Sequence, residues 1–107
     1  MRYPKLGTKI VLDEDKIIKD GIYDLDKIYD YMDKLAQEYN LTKIDKYTFL
    51  TQGNNMDMAN LCLFCEIENY DWFIDNLKEW LWLEDNGNYV VDIIKRHNLK
   101  KSYTSEK

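Results

Sequence analysis

Leu25, Ile28, Met32, Leu35, Ala36 and Tyr39 stand at offsets 0, 3, 7, 10, 11 and 14. That spacing lays six apolar side chains along one face of an α-helix. Asp24 ahead of them is a good N-cap and Asn40 behind them a plausible stop. The pattern predicts a helix from about Asp24 to Tyr39. Its apolar stripe needs a covering layer, which the rest of the chain has to supply. At about 100° per residue, Asp26, Asp30 and Asp33 gather on the opposite face as a carboxylate stripe pointing at solvent.

The remaining segments read as follows. Lys9 to Leu12 forms a short strand. Asp13-Glu14-Asp15 opens a turn or a short helical piece, which Gly21 ends. Ile44 to Thr51 alternates as a strand, with Tyr47, Phe49 and Thr51 on one side. Gly53-Asn54-Asn55 is turn chemistry. The apolar run Leu61-Cys62-Leu63-Phe64-Cys65, continuing to Glu68, reads as a strand covered on both faces. Residues 44–51 and 61–68 then make a hairpin with a long loop. Asn69 caps a second helix from about Tyr70 to Leu83, whose buried face is Tyr70, Phe73, Ile74, Leu77, Trp80 and Leu81. Residues 84–88 form a loop. Tyr89 to His97 carries both signals, helical spacing at Val90, Ile93, Ile94 and His97 and β-branched content for a strand, and helix is preferred. Residues 102–107 read as a frayed basic tail.

These segments predict a single α+β domain over residues 1–107. A small antiparallel sheet, made of the hairpin 44–51/61–68 and a short N-terminal strand, is packed against two or three helices. The segment order β-α-β-β-α is that of a split, ferredoxin-like arrangement.

Residues that carry chemistry are scarce. The chain has one histidine and two cysteines in 107 residues. Cys62 and Cys65 have the spacing of a zinc half-site, but a zinc site wants four ligands and a second cysteine pair is missing. They are read as packing thiols. His97 is the one candidate for acid–base work near neutral pH, and Ser102 and Ser105 sit in the tail, off any rigid scaffold. Asp13-Glu14-Asp15 with Asp20-Gly21 looks like a calcium loop, yet Ile18 stands where such a loop needs glycine. The four glycines form no phosphate-cradling motif. No catalytic residue, metal or cofactor is therefore assigned. The best-placed carboxylates are Glu66 and Glu68, on alternate positions of the expected strand. A small enzyme or ligand-binding domain using that pair and an aromatic pocket is the second reading.

Charge points to a partner. From Asp20 to Asp92 there are sixteen Asp and Glu against five Lys, a net of −11, whereas the residues after Asp92 carry +4. The whole chain stands at −5. Such a body repels nucleic acid and anionic membrane and favours a protein with a basic surface. A third reading, a nucleic-acid accessory protein, rests on the basic stretch Lys95 to Lys101. No apolar run approaches the ~20 residues of a membrane helix, and Met1 to Leu6 lack a signal-peptide pattern, so the bacterial host cytosol is the expected compartment.

On the far side of the expected second helix, Trp82 falls among Asp71, Asp75 and Lys78, and Trp72 near Glu79. Indoles amid carboxylates are typical interface anchors. The predicted partner-binding residues are Asp26, Asp30, Asp33, Asp71, Asp75, Trp72 and Trp82. In size and acidity the chain resembles two functional classes of small bacterial protein, toxin-immunity proteins and phage or mobile-element anti-defence inhibitors such as anti-CRISPR proteins. No motif carries that resemblance. It implies a non-catalytic protein, monomeric or weakly dimeric, that inhibits or masks another protein's basic, nucleic-acid-binding surface.

Overall fold

The computed structural model describes residues 3–97, with side chains to Lys95. Strand β1 (Gly7–Leu12) is followed by two helices, α1 (Glu14–Asp20) and α2 (Leu25–Glu38). Both start on an aspartate. Asp13 Oδ1 accepts from the Lys16 amide at 3.2 Å, and Asp24 Oδ1 accepts from Asp26 and Lys27 at 3.0 and 3.3 Å. Gly21 ends α1 in the left-handed region at φ 66°. The end of α2 is a Schellman motif around Asn40 at φ 60°. Leu41 N–H returns to the Ala36 carbonyl at 2.8 Å and Asn40 N–H to that of Gln37 at 3.2 Å, so the last carbonyls find donors. The expected α2 face is the buried one, with Ile28, Met32 and Ala36 inside.

The expected hairpin is not formed. Residues 42–50 make their own hairpin, β2 (Thr42–Asp45) and β3 (Thr48–Leu50), joined at Lys46-Tyr47. The Asp45 side chain closes that turn by accepting from the Tyr47 amide at 2.9 Å. An aspartate in place of a Gly or Pro cue explains why 44–51 reads as one strand. Leu61 to Cys65 is not a strand either. It belongs to α3 (Asp57–Phe64), followed by a 3-10 segment, Cys65–Asn69. Leu61 and Phe64 are buried while Cys62 and Leu63 are exposed, a helical period that a five-residue apolar run cannot display unaided.

The expected second helix is also cut short. Helix α4 (Asp71–Asp75) stops at Asn76, and β4 (Leu77–Glu84) takes its place. Asn76 is buried and fully used. Its amide nitrogen donates to the Trp72 carbonyl at 2.8 Å, its Oδ1 accepts from Lys16 Nζ at 3.0 Å, and its carbonyl accepts from the Asp13 amide at 2.7 Å. The node ties the end of α4 to the end of β1 and turns the chain into the sheet. Residues 89–97 divide between both signals, β5 (Tyr89–Asp92) and α5 (Ile93–His97). The expected tail at 102–107 lies outside the described residues.

The five strands form one antiparallel sheet in the order β2-β3-β1-β4-β5. Strand β1 lies between β3 and β4, so the split β-α-β order holds for the first four strands, built from different segments than expected, with β5 added beyond β4. The α+β class stands. Register places Thr8 opposite both Phe49 and Trp82, and Ile10 opposite Trp80, on one face of the sheet. Each helix adds to the core on that face through Ile17, Ile28, Leu61, Phe73 and Ile93. Rings lock the layers: Phe73 meets Trp80 edge-on at 5.0 Å and Phe49 lies 5.2 Å from Phe64. On the other face Lys9 pairs with Glu79 at 3.3 Å. Among the described residues, no helix is long and apolar enough to cross a membrane.

Candidate interaction surface

An aromatic groove lies between the start of α2 and the segment that leads into α4. Tyr70 precedes α4 in extended conformation, and Trp72 lies in its first turn. The two rings stack at 5.8 Å with an interplanar angle of 12°. Tyr31, one face-turn along α2, meets both edge-on at 6.3 and 5.9 Å. Ile22 and Tyr23 complete the groove from the short loop between Gly21 and Asp24, with Lys27 on the rim, around a space of about 530 Å³. Its apolar groups are open to solvent, Ile22 at 74% and Tyr70 at 47% exposure. Hydrogen bonding to Tyr70, then burial and the charges of Tyr70 and Glu38, raise the Tyr31 pKa above its ordinary value.

Of the expected anchors, Trp72 is in this groove, half-buried. Asp71 and Asp75 are exposed on the short α4 beside it. Trp82 is not. The helix that would have set it among Asp71, Asp75 and Lys78 ends at Asp75, and Trp82 lies in β4 opposite Thr8, on the core side of the sheet. Its indole N–H donates to Glu84 Oε2 at 2.8 Å and its ring is half-buried against the core. It is a packing residue at the end of the sheet. The α2 stripe is present in part. Asp26 and Asp30 are exposed, but Asp33 is taken by Lys43 Nζ at 3.0 Å. At about 100° per residue, the stripe's centre lies roughly 130° around α2 from Tyr31, so carboxylates and groove occupy different flanks.

Glu66 and Glu68 do not share a strand face, because they lie in the 3-10 segment. Both are exposed. Glu66 borders a smaller recess of about 250 Å³ with Tyr31, Tyr39 and Tyr70, and Glu68 is not part of it. The two cysteines also part company. Cys62 is exposed and Cys65 is buried in the core, where burial, followed by the neighbouring Cys62 and Glu68, pushes its thiol up to about 12. A thiol held there is protonated and inert at neutral pH. The acidic triplet at 13–15 is absorbed by structure. Asp13 caps α1, and Glu14 accepts from the Tyr29 hydroxyl and pairs with Lys46 Nζ at 3.1 Å. Among the described residues, no group of three or more His, Cys, Asp or Glu is placed to hold a metal ion. The side chain of His97 and the basic stretch after Lys95 lie outside the described side chains.

The groove residues Ile22, Tyr23, Tyr31 and Tyr70 are missed by sequence reasoning. The signal is modest: two apolar residues wedged between a helix stop, Gly21, and a helix cap, Asp24, where nothing in the chain pattern buries them. Comparison with protein-family models, curated proteins and solved structures finds no match to this chain.

Proposed function

We propose that this is a non-catalytic binding protein that docks on a basic, nucleic-acid-binding surface of another protein and masks it, as toxin-immunity proteins and phage anti-defence inhibitors do, in the cytosol of a bacterial host. The observation that supports this reading best is the exposed aromatic groove of Ile22, Tyr23, Tyr31, Tyr70 and Trp72. Clustered rings left in water are characteristic of a surface that a partner covers. Its lining offers tyrosines, one lysine and an N-cap aspartate already engaged by two amides, a set suited to binding rather than to proton transfer. The exposed carboxylates Asp26, Asp30, Asp71 and Asp75 supply the field that steers a basic partner.

Division of labour follows from the physics. Long-range attraction is screened within about 10 Å at 0.1 M salt, so the carboxylates govern association rate and its salt dependence. The rings govern dissociation, and loss of one well-buried anchor costs roughly 2 kcal/mol, about 30-fold in Kd.

The test begins with affinity capture from the host and reconstitution with the purified partner. Mixing at rising ratios is expected to abolish the partner's nucleic-acid binding only at equimolar protein. Tyr31→Ala and Tyr70→Ala are expected to speed dissociation, and Trp82→Phe to leave it unchanged. Full effect at substoichiometric amounts would instead favour the enzymatic reading, in which Glu66 and its recess are the place to look.

A further inference from the structure

The sheet carries apolar side chains on both of its faces. All five helices add to the core on the face that holds Thr8, Ile10 and Trp80. Alternation along β4 turns Trp80 and Trp82 to that face and Leu81 and Leu83 to the other. The run Trp80-Leu81-Trp82-Leu83 is the pattern of a strand covered on both sides, whereas a strand with one wet face alternates apolar with polar. Val11 in β1 and Val90 in β5 also stand on the second face, and neither belongs to the core.

Register lays these residues out. Gly7 stands opposite Leu50 on one side and Leu83 on the other, and Leu83 stands opposite Val90, which makes an apolar row across four strands. A Cβ at Gly7 would lie 2.5 Å from Leu50 Cδ2, so the leucine leans over the glycine. In the next row Leu81 lies between Lys9 and Asp92, and beyond it Val11 lies opposite Glu79. Val11, Leu50 and Leu81 are part-exposed, and Val90 is 49% exposed.

Charge selects what covers this face. The exposed carboxylates Asp26, Asp30, Asp71 and Asp75 belong to the helix layer. On the open face Lys9 pairs with Glu79 at 3.3 Å, and Asp92 accepts from the Lys95 amide at 3.0 Å. The centre of the face is therefore neutral in a chain that carries −5. It offers little to a basic partner. Among the described residues it offers a nucleic acid neither a free cation nor a ring to stack on. The ten residues after His97 bring Leu99 and Tyr103 as large apolar side chains, too few to cover five. A second copy meets the face with the same apolar rows and the same neutral ion pair, and keeps both acidic helix layers on the outside.

We propose that the open face of the sheet packs against the same face of a second copy, an isologous two-fold contact of Val11, Leu50, Leu81, Leu83 and Val90. The dimer has four layers, helices, sheet, sheet and helices, with the sheets about 10 Å apart. At about 4.8 Å between strands and about 3.3 Å per residue, the face spans roughly 20 by 20 Å. Two such faces bury roughly 1,000 Å² once side-chain relief is counted, near the lower bound of a specific interface. That size suits a reversible dimer rather than an obligate one. The inference is independent of the aromatic groove, which lies in the helix layer and stays free.

The experiment measures sedimentation equilibrium of the whole chain from about 10 μM to about 1 mM, a range that reaches the weakest specific contacts. Isotope-filtered NOEs are collected on a mixed labelled and unlabelled sample. The mean mass is expected to climb from 13.0 kDa toward twice that value. Intermolecular NOEs are expected among the methyl groups of Val11, Leu50, Leu81, Leu83 and Val90. Val90→Glu, at a half-exposed site on the edge strand, should weaken the dimer at least about tenfold, because the two-fold places the new charge in the contact twice. Tyr31→Ala and Tyr70→Ala should leave it unchanged, which separates failure here from failure of the groove reading. A monomer at the top of the concentration range overturns the proposal. So do intermolecular NOEs that avoid these methyls, or a dimer as tight in folded Val90→Glu. The NOEs are read on the parent protein and decide alone if that variant does not fold. Displacement of the contacts by an oligothymidylate or an oligolysine, with saturable shifts at the same methyls, gives the face to that partner and likewise overturns the proposal.

Discussion

The indole N–H of Trp80 donates to Thr8 Oγ1 at 2.8 Å, and the same hydroxyl donates to the Leu81 carbonyl at 2.8 Å. Thr8 has essentially no exposed surface and Trp80 almost none. One hydroxyl therefore satisfies the polar atom of the largest core side chain and a strand carbonyl at once, from the central strand. Replacing it with an apolar isostere leaves the buried indole N–H without its acceptor and takes one donor from the Leu81 carbonyl. Thr8→Val is expected to lower unfolding free energy by about 2–4 kcal/mol, read from urea denaturation. Thr8→Ser keeps the hydroxyl and should cost only about 1 kcal/mol, the worth of one buried methyl.

Gly7 is expected to tolerate no side chain. A Cβ built there lies 2.5 Å from the Phe49 carbonyl oxygen and 2.5 Å from Leu50 Cδ2. The leucine can turn aside, but the carbonyl belongs to the neighbouring strand. Gly7→Ala should destabilise by about 2–3 kcal/mol, as overpacking does, and Leu50→Ala in the same chain should not restore the loss. Full rescue by that second change would show that the carbonyl contact relaxes freely.

Acid stability has a local source in Glu14. The Tyr29 hydroxyl, and then Lys46, hold its carboxyl below the ordinary 4.5. A carboxylate with a depressed folded pKa contributes stability that is present above the unfolded value and lost as pH falls through the folded one. Glu14→Gln should therefore be less stable than the parent at pH 7, by roughly 0.5–1 kcal/mol for a partly exposed pair. The gap should close as pH drops from 4.5 through the lower folded pKa. Denaturation midpoints of both proteins at pH 7 and pH 3 check the sign, and a gap no smaller at pH 3 than at pH 7 would locate the pH dependence elsewhere.

The thiols are expected to behave as two different residues. Cys62 is on the surface and should react with a disulfide reagent in the native protein at pH 8. Cys65 is buried, with its thiol pushed up to about 12, and should react only on unfolding. One fast equivalent and one slow equivalent is the expected count. Two fast equivalents would mean that the α3 end opens far more readily than its burial implies.

The chain's own pattern determined the elements whose signals are local. Helix α2 is legible because six apolar positions repeat over fifteen residues and Asp24 marks their start. Asp13 and Gly21 bracket α1 for the same reason, and the short run Lys-Ile-Val-Leu at Lys9 to Leu12 places β1. The acidic character of the surface is a property of the residues alone, and so is the scarcity of cysteine and histidine.

Tertiary structure decided the rest, and the reason is the same at each place. Leu61 to Cys65 and Leu77 to Leu83 are short and apolar nearly throughout, so both helical and strand spacings fit them. What chose between them was the vacancy beside β1. That strand turns Thr8, Ile10 and Leu12 into the core and is paired along both edges. Asn76 ends α4 and sends Trp80 and Trp82 into the sheet, which turns Trp82 from an expected surface anchor into a packing residue. Helix α3 then closes over Phe49 through Phe64. Both candidate surfaces are products of this assembly. The groove joins Ile22 to Tyr70, and the open sheet face joins Leu50, Leu83 and Val90. Residues so far apart in sequence share no spacing to be read, because only the closing of the sheet sets them side by side.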